Sequence, residues 1–157
     1  MHAAATYSRP MPGRDADHHP PYVDPHAKED ERTYALFTHL VGLLSLADMT
    51  LLGLIGTIIM WRIKAKQSPF LDDHGREAVN FQLSLLIYTI GGAIVLGAFT
   101  LLTFFVGSII TIPAAVIGAI FVVVLRLVGG IRGAIFAARG QYYRYPMTLR
   151  LIPEPVE

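Results

Sequence analysis

Asp73, His74 and Glu77 stand close together in the run Ser68-Pro-Phe-Leu-Asp-Asp-His-Gly-Arg-Glu-Ala-Val-Asn-Phe-Gln-Leu-Ser84. Two carboxylates beside an imidazole are the residue types of a metal site or a proton-transfer site. Neither chemistry finds the rest of what it needs. There is no second ligand pair, and His39, the only other histidine in an apolar region, is not placed nearby by anything in the sequence. His18, His19 and His26 lie in a proline-broken arm and read as incidental polar residues of a solvated tail. With no cysteine, thiolate catalysis, thiolate metal sites and disulfides are all excluded. No glycine-rich phosphate loop, nucleophile elbow or metalloprotease motif occurs. The sequence therefore assigns no catalytic residue, no metal ligand and no cofactor, and the chain reads as a non-enzyme.

These residues gain a different meaning once they are placed on a helix. Ser68-Pro69 is a helix start, with the serine hydroxyl as cap, proline at the first position, and Asp72 and Asp73 near the positive end of the helix dipole. Continued from there, Asp73, Glu77, Asn80, Ser84 and Tyr88 share one face at spacings of three and four. That face is too polar to meet lipid and should point into a bundle. Capping with ion pairs to Arg76, Lys64 or Arg132 is the leading account of it. The functional account is a polar contact made by Asp73, His74, Glu77, Asn80 and Ser84 with a partner, a lipid headgroup or a translocating polypeptide.

The elements that must hold this face are those of a membrane protein. Of 157 residues 53% are hydrophobic and 16% charged, against about 25% charged in soluble domains. Ala78 to Leu125 runs 48 residues without an Asp, Glu, Lys or Arg. A net charge of +1, mixed in sign, gives no basic patch for nucleic acid. Residues 1–30 carry five of the ten prolines and no apolar run, so they read as a disordered arm and not as a signal peptide.

The first apolar block, Tyr34 to Trp61, is 28 residues long with Asp48 inside it. As a single span it would be about 42 Å long, against a hydrocarbon core of about 30 Å, with Asp48 near its middle. As a hairpin it turns near Asp48 or Thr50, either of which could cap the second helix, and needs residues 29–33 and 62–66 to reach the interfaces. The hairpin is preferred. The 13 Lys and Arg fall in the arm, at 62–76 and at 126–150, and none lies in the two turns, near 48–50 and 107–112. With two hairpins all three basic regions share one face, which the positive-inside rule makes cytoplasmic.

A helix start at Pro113 and an end at Arg139-Gly140 complete the second hairpin. Small residues four apart, such as Gly129 with Gly133, predict close helix contacts. Trp61, Lys64, Tyr142, Tyr143, Arg144 and Tyr145 have the composition of anchors at the headgroup level. The expectation is an all-α, four-helix integral membrane protein of two helical hairpins. Its disordered arm is residues 1–30, its transmembrane domain 31–152 and its short polar tail 153–157. It should lie in the bacterial plasma membrane with both termini cytoplasmic, in contact with the lipid bilayer and with other membrane proteins or itself, and with no nucleic acid.

Four segments, Glu31-Arg-Thr-Tyr-Ala-Leu-Phe-Thr-His-Leu40, Trp61-Arg-Ile-Lys64, Ser68 to Gln82 and Tyr142-Tyr-Arg-Tyr-Pro146, make the chain similar over residues 31–152 to a bacterial membrane-protein family of unknown function. That family resembles the twenty-kilodalton channel subunit of the chloroplast inner-envelope protein-import translocon (Tic-like). The resemblance implies four membrane helices with both termini on one side. The residues as a whole rank three roles: a binding or assembly component first, a channel-like component of transport or protein translocation second, and a lipid-acting membrane enzyme third, for want of a catalytic constellation.

Overall fold

Acidic residues at its first turn start the first helix, as their attraction to the helix dipole requires. In the computed structural model, which describes residues 22–48 and 51–154, α1 runs Glu29–Val41 and the Glu31 carboxylate accepts the Lys28 N–H at 3.1 Å. A 3-10 turn, Gly42–Leu44, and a single helical turn, α2 (Ser45–Asp48), lead to residues 49–50, which with the expected Thr50 cap lie outside the described residues. The chain returns through α3, Leu51–Lys64. The preferred hairpin is what forms; its helices include residues 29–33, but of the expected 62–66 only 62–64, because α3 ends at Lys64 and residues 65–67 form a turn.

Ser68 caps α4 (Pro69–Leu102), its Oγ accepting the Leu71 N–H at 3.2 Å. The next reversal falls at 103–107, where Phe104 and Phe105 take positive φ and the Thr103 hydroxyl accepts the Gly107 N–H at 3.0 Å. α5, Ser108–Ala138, therefore begins five residues before the expected start, and Pro113 lies inside it. The bonds from Ile110 and Thr111 N–H to the Gly107 carbonyl, 3.0 and 2.9 Å, explain the early start: they close the first turn before the proline is reached. Among the described residues the fold is all-α, with four helices longer than a turn.

The two hairpins differ in height. At 1.5 Å per residue, α4 and α5 are about 51 and 46 Å long, and both are apolar enough to cross a membrane. α1 and α3, with 13 and 14 residues, are about 20 and 21 Å. Leu43 packs against Gly130 and the Arg126 guanidinium donates to the Ser45 carbonyl at 2.9 Å, so the first hairpin turns back near the level of Arg126. The second continues through the 18 residues from Leu125 to Ser108, about 27 Å further. The first hairpin is the shorter of the two because its block supplies few helical residues on each side of its turn.

Burial follows this difference. From Phe70 to Leu85, α4 is enclosed by α1, α3, the last turns of α5 and the C-terminal segment. Beyond Ile87, and along α5 from Ile109 to Phe121, nearly every apolar side chain is exposed. Of the expected arm, residues 1–21 lie outside the described residues. Asp24 and Ala27 are buried, with Asp24 N–H donating to the Gly140 carbonyl at 2.8 Å and Tyr22 stacked on Tyr142.

Candidate functional site

One helix face and one extended segment make the site. Asp73, Glu77, Asn80, Ser84 and Tyr88 do share a face of α4, and along it lies the chain's own C-terminal segment, residues 141–154, as a strap. Arg144 forks onto Asp73, with Nη1 to Oδ2 at 2.6 Å and Nη2 to Oδ1 at 2.8 Å, a two-bond geometry that fixes orientation as well as distance. Glu77 accepts the Tyr145 N–H at 3.0 Å and lies 3.8 Å from Arg150 Nε. Tyr88 donates to the Met147 carbonyl at 2.9 Å, and at Met147, with φ of 58°, the strap turns back. On the return Ser84 Oγ accepts the Leu149 N–H at 2.8 Å. Asn80 then pairs with the Ile152 backbone in both directions, at 3.0 and 2.8 Å. Glu154 closes the loop on Arg144 at 3.1 Å.

The partners expected for the acids, Arg76, Lys64 and Arg132, are only partly the ones found. Arg76 pairs with Asp72, whereas Asp73 takes Arg144. His74 reaches α1, with the Tyr142 ring of the strap stacked beside it. His39 Nε2 is 2.8 Å from His74 Nδ1, and His39 Nδ1 is 2.7 Å from the Tyr145 hydroxyl. Both histidines are fully enclosed. A neutral imidazole has one N–H and one lone pair, so two neutral rings carry this chain of bonds in a single direction. Gly133 admits it, since a Cβ there would lie 2.8 Å from His39 Nδ1 and 2.9 Å from the Tyr145 oxygen. Sequence spacing could not pair His39 with His74. The only signal was a histidine in an apolar run.

The expected anchors divide. Trp61 donates its indole N–H to Asp72 at 2.9 Å and lies over Gly75, where a Cβ would overlap the ring; Lys64 sits 5.3 Å above the Tyr34 ring. Tyr143 and Tyr145 are not at a surface: they are 6% and 4% exposed, with Tyr145 stacked on Phe81 at 4.0 Å and Tyr142 on His74 at 6.0 Å. Burial pushes the Tyr145 hydroxyl well above its ordinary pKa of 10.0, and the nearby Tyr143 and Glu77 add to this. Burial also raises Tyr143, against a smaller opposing effect of Arg132. For Arg144, burial pulls its pKa down, but the Asp73 hydrogen bonds and the charges of Asp73, Glu77 and Glu154 outweigh it and raise it, so the guanidinium stays charged.

Chemically, the α4 face binds the chain's own extended C-terminal segment. It takes up main-chain N–H groups at Tyr145, Leu149 and Ile152, main-chain carbonyls at Met147 and Ile152, and one guanidinium. Among the described residues no group of three or more His, Cys, Asp or Glu is arranged to hold a metal ion.

Residues 30–152, from α1 through the strap, match the MamF/MmsF family, described as a magnetosome magnetite crystal formation protein family, and the chain belongs to it. No curated protein and no solved structure matches the chain.

Proposed function

We propose, from that membership and from the strapped face of α4, that this protein is a non-enzymatic binding or assembly component of the membrane in which its family acts. The family description concerns magnetite crystal formation, and its extension to this chain is part of the proposal. The observation that carries the reading is the use made of the polar face. Glu77, Asn80 and Ser84 fix a length of polypeptide by its backbone, Asp73 holds it through the Arg144 guanidinium, and the strap's outer side presents Arg150 and Leu151 to the surroundings. A backbone-reading face of this kind sets a surface for a protein partner and calls for no reacting group.

A photo-crosslinking residue at Leu151, in the full-length chain in its native membrane, tests the reading. A reproducible adduct with another membrane protein, lost when Arg144→Gln frees the strap, is the expected result. Adducts with lipid alone would overturn it. The same backbone recognition favours one second reading, a channel-like component that contacts a translocating polypeptide. Peptide-dependent conductance in liposomes, abolished by Asn80→Ala, would favour that role. In both readings residues 31–152 are the membrane domain and both termini face the cytoplasm.

A further inference from the structure

On the opposite side of α5 from the strap, an apolar groove of about 320 Å³ runs between α1 and α5, within the usual range for a small-molecule site. Its α5 wall is Ile131, Ala134, Ile135 and Ala138, one stripe at spacings of three and four; its α1 wall is Leu36 and Leu40. Both stripes end in arginine at the same end of the bundle. Arg139 lines the groove itself, and Arg32 is one turn before Leu36. The Arg32 guanidinium lies against Gly140, whose Cβ would meet its Nε at 2.8 Å, and that Nε is buried without a hydrogen-bond partner. Among the described residues neither arginine forms an ion pair with a carboxylate.

We propose that this groove is a binding site for an anionic phospholipid, with one acyl chain between Leu36, Leu40, Ile131 and Ile135 and the phosphate held by Arg32 and Arg139. Charge complementarity selects the occupant. Two guanidiniums that no described carboxylate pairs, at the end of an apolar trough, match a phosphodiester on a hydrocarbon chain, and guanidinium forks suit phosphate oxygens. Position agrees, because Ile131 and Ile135 belong to the exposed apolar surface of α5 and Arg139 is where that surface ends, the level at which cations meet headgroups. A helix of another protein would fill the trough but leave the two charges unmatched. The site rests on the membrane location of the chain and not on the assembly role.

The test uses the full chain in a neutral detergent, with thermal unfolding followed as phosphatidylglycerol, phosphatidylcholine or inorganic phosphate is added. Phosphatidylglycerol should raise the melting temperature, the other two should not, and Arg32→Gln with Arg139→Gln should weaken the effect about tenfold or more. Ala138→Trp, which fills the trough and keeps both arginines, should abolish it. Equal stabilisation by phosphatidylcholine would overturn the charge selection, and a shift with inorganic phosphate alone would reduce the site to an anion contact. A wild-type experiment covers the case in which a variant fails to fold. Diazirine-labelled phosphatidylglycerol should mark peptides containing residues 36–40 and 131–139. Labelling spread evenly along 87–128, or a co-purifying polypeptide crosslinked at Ile135, would refute the proposal.

Discussion

Arg144 is joined to Asp73 across 71 positions of sequence, which is why its role could not be read from Tyr142-Tyr-Arg-Tyr-Pro146. That run has the composition of an interface anchor, and composition cannot show that a guanidinium has a distant carboxylate to meet. The need for a partner was legible: a face carrying Asp73 and Glu77 in an apolar helix had to be neutralised from within. Asp73→Asn removes the forked pair and leaves Arg144 with the half-exposed Glu154 as its counter-ion. The side chain of Asp73 is 3% exposed and that of Arg144 26%, so the loss should lie at or below the low end of the ~3–5 kcal/mol for a broken buried pair. Unfolding in detergent measures it. A cycle with Arg144→Gln should show the two changes far from additive; additive losses would mean the pair contributes nothing. Tyr145 adds a pH dependence. Its pKa is raised in the folded state, so the unfolded chain loses the proton first. Stability should hold up to about pH 10 and fall above it, as the unfolded tyrosine ionises before the folded one. Tyr145→Phe should flatten that alkaline decline while lowering stability at neutral pH, through loss of the bond to His39. An unchanged slope would assign the decline elsewhere.

At the scale of elements, local signals were readable and long-range ones were not. Ser68-Pro69 gave the start of α4 because a cap needs only a hydroxyl and an N–H three residues on. The start of α5 was placed at Pro113 because proline suits a first turn, but Thr103 and Gly107 had already closed the reversal. The polar stripe on α4 was correctly a single face, although its periodicity could not say that an irregular segment fills it. Residues 141–154 have no helical or strand pattern, and their order comes from bonds to α4. Asn80→Ala removes both bonds to the Ile152 backbone, and at about 1 kcal/mol per neutral bond the return limb of the strap should loosen more than the bundle. Trypsin should then cleave after Arg150 several-fold faster, with the helical content by circular dichroism unchanged. Cleavage at the wild-type rate would show that Arg144 and Glu77 alone hold the strap.

For the whole molecule, composition was enough to indicate a membrane protein, and charge placement suggested two hairpins, but neither carries information on depth. Positive charges count sides of a membrane; they do not measure how far a turn penetrates. The structure sets the turn of the first hairpin about 27 Å short of the turn of the second. If the first turn reached the far face, that length of bare apolar helix pair would stand in water, at about 25 cal/mol for each Å² of exposed apolar surface. With the second turn at the far face, the first would end inside the bilayer as a re-entrant hairpin, its helices packed against α4 and α5. Single-cysteine variants separate the two arrangements. Phe104→Cys should react with a membrane-impermeant maleimide from outside intact cells, and Gln141→Cys only after permeabilisation. Leu51→Cys, beside the first turn, should react poorly from either side until the membrane is dissolved. Labelling of Leu51→Cys from outside as fast as Phe104→Cys would restore four full spans and require the helices to pack at a different height from the one Leu43 and Arg126 define.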